Sequence, residues 1–152
     1  MNVEWRNYRL GGDIMDAMDL VGYIITYSKH IGNLVTNLRL QKLLYFIQKE
    51  HLQQHGEPAF DDDICAWQYG PVVPRVYYEF SRYASTPIIN IDESTPLDDS
   101  IKNTIRTVLN KYNKVPTWKL VQLTHEPNSP WSNTVEEGGT VIPCNYIRTL
   151  EN

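Results

Sequence analysis

Between Gly56 and Phe80 the chain reads GEPAFDDDICAWQYGPVVPRVYYEF, which fits neither a buried strand nor a regular amphipathic helix. Gly70, Pro71 and Pro74 direct the backbone through Trp67, Tyr69, Tyr77 and Tyr78, so the fold must carry a shaped aromatic loop. Tyr and Trp lose little conformational entropy on making contact and are favoured where proteins grip one another. Binding, ahead of chemistry, is the first function class this segment suggests.

The flanking sequence is mostly helical in pattern. Residues 1–13 have no clear period and read as an N-terminal arm, with 14–152 as one domain. Ile14, Met18, Val21, Ile25 and Ser28 recur at helical spacing, predicting a helix over 14–31 ended by Gly32. Asn37 opens a second, central helix to about Gln53, with Leu40, Leu43, Leu44 and Ile47 on one side and Leu38 and Phe46 widening the stripe. Ile64 to Tyr69 is β-compatible, and Pro74 suits the first turn of a third helix reaching Tyr83. Pro87 to Ile91 suggests a short strand or an extended crossing. Asp98 or Asp99 caps a strongly patterned helix bearing Leu97, Ile101, Ile105, Val108 and Tyr112. A fifth helix follows Pro116, carries Trp118, Val121 and Leu123, and stops at His125 because Pro127 and Pro130 forbid continuation. Thr140 to Ile142 can form a short strand, and Pro143 opens a last helix. The expected class is α+β, predominantly α-helical, with five or six helices and a small β element. Leu43, Leu44, Ile101, Ile105 and Val108 should share one core.

At 152 residues, with 41% hydrophobic and 21% charged residues, the chain can bury a real core without metal or disulfide support. Cys65 and Cys144 lie far apart with no CxxC, which suggests neither a zinc site nor a disulfide framework. No apolar run reaches the roughly 20 residues of a membrane span and the start lacks signal-peptide features, so the expected location is cytoplasmic. A formal net charge of −4 argues against nucleic acid as a partner.

Several groups carry two readings each. Gln41, Lys42 and Tyr45 are polar groups on a packed helix: as structural supports they would satisfy the aromatic loop, and as binding residues they would face a partner. Trp67 reads as core or as an anchor. Tyr69, Pro71, Val72 and Val73 mark a contact surface if the turn exposes its valines, or cap the core if it does not. His125, oriented by Glu126 with Cys65 or Ser129 as nucleophile, would suit a small hydrolase. The chain has no G-x-S-x-G elbow, glycine-rich phosphate loop or HExxH, so the expectation is no catalytic residue, with His125 bonding helix-terminal carbonyls and Trp131 packing over the turned chain. Asp61, Asp62 and Asp63 with Glu57 could hold a divalent cation but lack calcium-loop spacing, and a solvated acidic turn able to steer a basic partner is the alternative. No metal and no cofactor are expected.

Three blocks, LRLQKLLYF at 38–46, DDICAWQYGPVVPRVYYEF at 62–80 and LTHEPNSPW at 123–131, together resemble the Panacea domain, the family that includes SocA-type antitoxins and phage-associated GepA-like proteins. The resemblance covers about Met15 to Leu150. It implies a compact helical domain that neutralises a cognate toxin by direct protein contact, without catalysis. The alternative it carries is a phage-associated regulatory or proteolytic adaptor, with a protease or chaperone as further partner; the oligomeric state is left open. The resemblance favours the binding reading for the loop, assigning partner contact to Trp67, Tyr69, Gly70, Pro71, Val72, Val73, Pro74 and Tyr77.

Overall fold

The computed structural model describes residues 15–93 and 95–150. The expected arm over 1–13, and Ile14 at the head of the first helix, lie outside them. Among the described residues the chain forms seven α-helices, a short 3-10 turn and a two-stranded sheet, a predominantly helical α+β fold. No helix among them is long and apolar enough to cross a membrane.

Helix α1 (Ala17–His30) buries Ala17, Leu20, Val21, Ile24 and Ile25 along one face. Its first turn is anchored from outside, because Asp62 Oδ1 accepts the Ala17 N–H at 2.7 Å while Asp19 accepts the Asp16 N–H at 2.9 Å. Gly32 then turns the chain at φ 85°, where a side chain would be strained.

Helix α2 (Asn37–His55) starts at Thr36, whose hydroxyl accepts the Arg39 N–H, and runs two residues past the expected end to a left-handed Gly56. It is the central helix. Leu40, Leu44, Ile47 and Leu52 are fully buried, and helices on several sides pack against them. Leu38, expected to widen the apolar stripe, instead stands 42% exposed, because it faces away from the packed neighbours.

Strands β1 (Cys65–Trp67) and β2 (Gly70–Val72) form an antiparallel hairpin pairing Cys65 with Val72, Ala66 with Pro71 and Trp67 with Gly70. The outer side of β1 is taken by the 140–142 segment: Ala66 N–H donates to the Thr140 carbonyl and Ile142 N–H to the Ile64 carbonyl, both at 2.8 Å. Helix α3 (Pro74–Glu79) opens on proline at its first position but breaks at Phe80, and the chain reaches Tyr83 through the 3-10 turn Ser81–Tyr83. Residues 87–91 form the extended crossing rather than a strand, tied down by the Ile88 N–H on the Val35 carbonyl at 2.8 Å.

Helix α4 (Asp99–Tyr112) buries Ile101, Ile105, Val108 and Leu109 against α1 and α2. Leu43, Leu44, Ile101, Ile105 and Val108 lie in one core cluster. Asp98 is its N-cap, yet its side chain makes no capping bond. Helix α5 (Thr117–Thr124) buries Leu120 and leaves Trp118 68% exposed, contrary to the apolar stripe read for it, because its packed side carries Leu120 and Thr124. Helix α6 (Pro130–Glu136) has no counterpart in the sequence reading. Pro130, taken there as a breaker, occupies its first turn, and Ser129 caps it by accepting the Ser132 N–H. Helix α7 (Cys144–Thr149) follows Pro143 and packs on α2.

Candidate functional site

The hairpin is held by side chains of α2, each donating to or accepting from the backbone of the connecting chain. Asn37 Nδ2 donates to the Tyr77 carbonyl at 3.0 Å, and Gln41 Nε2 donates to Asn37 Oδ1 at 2.9 Å. Gln41 Oε1 then accepts the Val73 N–H at 2.9 Å, and Lys42 Nζ donates to the Pro71 carbonyl at 2.9 Å. Two helical turns further, Gln48 accepts the Ala59 N–H at 2.8 Å and donates to the Phe60 carbonyl at 2.8 Å. Positions 37, 41, 45 and 48 recur at helical spacing, so they share a face pointing at the loop. Tyr45 sits within this row, buried, with its ring 5.2 Å from that of Phe46. Backbone groups that cannot reach water are thereby satisfied.

Lys42 is the costliest member of this row. It is fully buried, and that desolvation holds its amine at about 7, far below the ordinary lysine value. Its nearest neighbours explain the glycine at 70. A Cβ on Gly70, which sits at φ 110°, would meet Lys42 Nζ and Thr124 Oγ1 at 3.0 Å and His125 Nε2 at 3.1 Å. Burial pushes the His125 imidazole down as well; a backbone hydrogen bond with Tyr69 opposes this and the Lys42 charge adds to it. Nε2 of His125 is buried and has no hydrogen-bond partner among the described residues.

Helices α5 and α6 close the support from the other side. His125 caps α5 and stacks on Trp131, with ring centroids 4.2 Å apart and planes 20° from parallel. The Trp131 indole N–H donates to the Trp67 carbonyl at 2.7 Å, fixing the end of β1. Ser129 is fully buried and its hydroxyl donates to the Thr124 carbonyl, while burial first and Asp63 second push the Cys65 thiol up.

The loop residues divide by exposure. Gly70 and Pro71 are buried, as are Val72 and Val73 at 4% and 1%, so the exposed valine pair that the sequence suggested is absent. Pairing with β1 and the Gln41 bond turn them inward. Tyr69 at the hairpin tip is 66% exposed, Trp67, Pro74 and Tyr77 are half-buried, and Tyr78 is 64% exposed. Trp67 meets Tyr77 edge-on at 5.3 Å and Tyr78 at 5.8 Å, so three rings form one rigid surface. Gln48 and Thr124 are parts of this arrangement that sequence reasoning did not single out, and Asn37 entered it only as the opening of α2; polar residues recurring at helical spacing on an apolar helix were the available signal for Asn37 and Gln48.

The acidic run joins a residue from outside it, in an arrangement whose carboxylates could hold a cation. Asp61 and Asp62 approach Asp16 rather than Glu57, their carboxylates within 4.8 Å of one another, and Arg75 pairs with Asp16 at 3.1 Å. Asp62 spends one oxygen on the start of α1, so the run fastens loop to helix.

A family model described as antitoxin SocA-like, Panacea domain, matches residues 40–132, which include the hairpin together with Gln41, Lys42, His125 and Trp131. Antitoxin SocA of Caulobacter vibrioides (strain NA1000 / CB15N) is 30% identical over 138 residues, covering 83% of this chain and 73% of that protein. No solved structure gives a significant match.

Proposed function

The chain belongs to the antitoxin SocA-like, Panacea-domain family, and on that premise we propose that it neutralises a cognate toxin by direct, non-catalytic contact through the hairpin and the aromatic surface beside it. The observation that carries this reading is a rigid projection with an exposed tip: Tyr69 stands out from a turn whose backbone is bonded to Gln41, Lys42 and Trp131. Such preorganisation leaves little ordering entropy to be lost on binding. Trp67, Tyr69, Pro74 and Tyr77 are the contact residues on this reading, Gly70, Pro71, Val72 and Val73 set the shape beneath them, and residues 14–152 act as one unit.

The test is to express the reading frame adjacent to this gene with and without the chain. Toxicity that the wild-type protein suppresses supports the proposal, and an inert neighbour favours the adaptor reading instead. Tyr69→Asp places a charge where an apolar partner would have to desolvate it, so it should abolish protection and co-purification while circular dichroism stays unchanged. Wild-type yield of the complex with that variant would move the interface elsewhere. His125→Phe preserves ring packing on Trp131 and removes the imidazole base, so protection by it excludes a hydrolase that uses His125.

A further inference from the structure

Between the hairpin and the turn at 81–86 lies a groove of about 340 Å³ floored by α2. Leu38, Trp67, Tyr69 and Tyr77 are among its lining residues, with Ala84 and Ser85 of the 81–86 turn. That wall is shaped rather than relaxed: Ala84 has φ 51° and ψ −121°, a conformation glycine ordinarily takes, and the turn is pinned by Ala84 N–H on Ser81 and Thr86 N–H on Tyr83.

Charge decides what the groove can hold. Among the described residues no carboxylate lines it, and the one amine among them, that of Lys42, lies buried with its hydrogen bond directed at the Pro71 carbonyl. The arginines nearby in sequence are already paired, Arg75 with Asp16 at 3.1 Å and Arg82 with Glu79 at 3.7 Å. A charged occupant of either sign would leave water for aromatic walls with no opposite charge in the groove to offset the loss. Asn37 and Gln41 are occupied with the Tyr77 and Val73 backbone, whereas the Trp67 indole N–H has no hydrogen-bond partner among the described residues. Among the described residues the groove lining is thus free of ionised carboxylates and arginines, and Trp67 brings to it an indole N–H not spent within the fold.

We propose that this groove seats an uncharged apolar side chain of the toxin, carried on a segment whose backbone carbonyl accepts the Trp67 indole N–H. The inference rests on the antitoxin reading, with the partner's anchor now given a chemistry.

N-acetyl-phenylalanine amide is the probe, titrated into the full chain while the Trp67 indole resonance, assigned with Trp67→Phe, is followed by NMR. A ligand of that size should bind with Kd on the order of 1 mM and shift that resonance. N-acetyl-arginine amide and N-acetyl-aspartate amide should bind at least about tenfold more weakly. Ser85→Trp, at an exposed wall position, should block the probe without changing the melting temperature. Equal binding of the charged analogues, or no movement of the Trp67 signal by the neutral one, overturns the proposal. If the adjacent toxin is neutralised but the probe fails, the groove assignment falls and the antitoxin reading stands; if the probe binds and no toxin is found, the reverse holds.

Discussion

A lysine amine in water keeps its proton up to a pH of about 10.4, and Lys42 in the folded chain gives it up near 7. Between those values the unfolded chain binds the proton and the folded chain does not, so stability should rise with pH across that window and level off below it. The sign is opposite to that of a lysine stabilised by an ion pair. Lys42→Met should flatten the rise, which in the wild type amounts to a few kcal/mol at most by linkage; urea unfolding at pH 7, 8.5 and 10 measures it. An unchanged slope in the variant would mean that the amine keeps its proton in the fold. Gly70 is the companion residue: Gly70→Ala forces a side chain into φ 110° and against Lys42, Thr124 and His125, so a loss on the order of 1–3 kcal/mol is expected. The sequence marked Gln41, Lys42, Tyr45, His125 and Trp131 for attention, because polar or aromatic groups in apolar blocks demand partners. It could not say which carbonyl each would find, since those partners lie up to 64 residues away in the chain.

At the scale of elements, α2 owes its place to two kinds of burial at once. Leu44 is fully buried, and Leu44→Ala should cost about 2–5 kcal/mol by transfer and cavity terms together. Gln48→Leu keeps the volume but orphans the Ala59 N–H and the Phe60 carbonyl, at about 1–3 kcal/mol, and should raise amide exchange at Ala59 before it affects α4. A Gln48→Leu protein as stable as wild type would show that water reaches those groups. Helix α4 was legible because Ile101, Ile105 and Val108 alternate cleanly with charge on a helix having only one packed face. Helix α6 was not, because Pro130 breaks a helix from within and starts one from its first turn, and only Ser129 distinguishes the cases. Trp118 and Leu38 were misassigned for a related reason: on short or many-sided helices periodicity gives an apolar set without saying which member is left over.

The whole molecule is stitched by contacts between segments far apart in sequence, and one of them is a steric fit with no slack. A Cβ on Gly22 would stand 2.3 Å from the Asp92 carbonyl oxygen, so α1 and the 87–93 crossing meet backbone to backbone there. Gly22→Ala should lift the crossing, lower the melting temperature and increase amide exchange at Ile88, whose bond to Val35 depends on the same seat; normal protection at Ile88 would show that α1 yields instead. The hairpin register has a different consequence at this scale. Ala66 and Pro71 are the residues of the two strands whose backbone groups point outward; Ala66 spends its N–H on Thr140, while Pro71 has no N–H and surrenders its carbonyl to Lys42. Neither margin of the sheet therefore offers a template to a foreign strand, and the protein can display a hairpin without inviting β-addition or fibril growth. If the proposed partner docks beside it, selectivity is left to side chains, which can be exchanged one at a time without disturbing the frame.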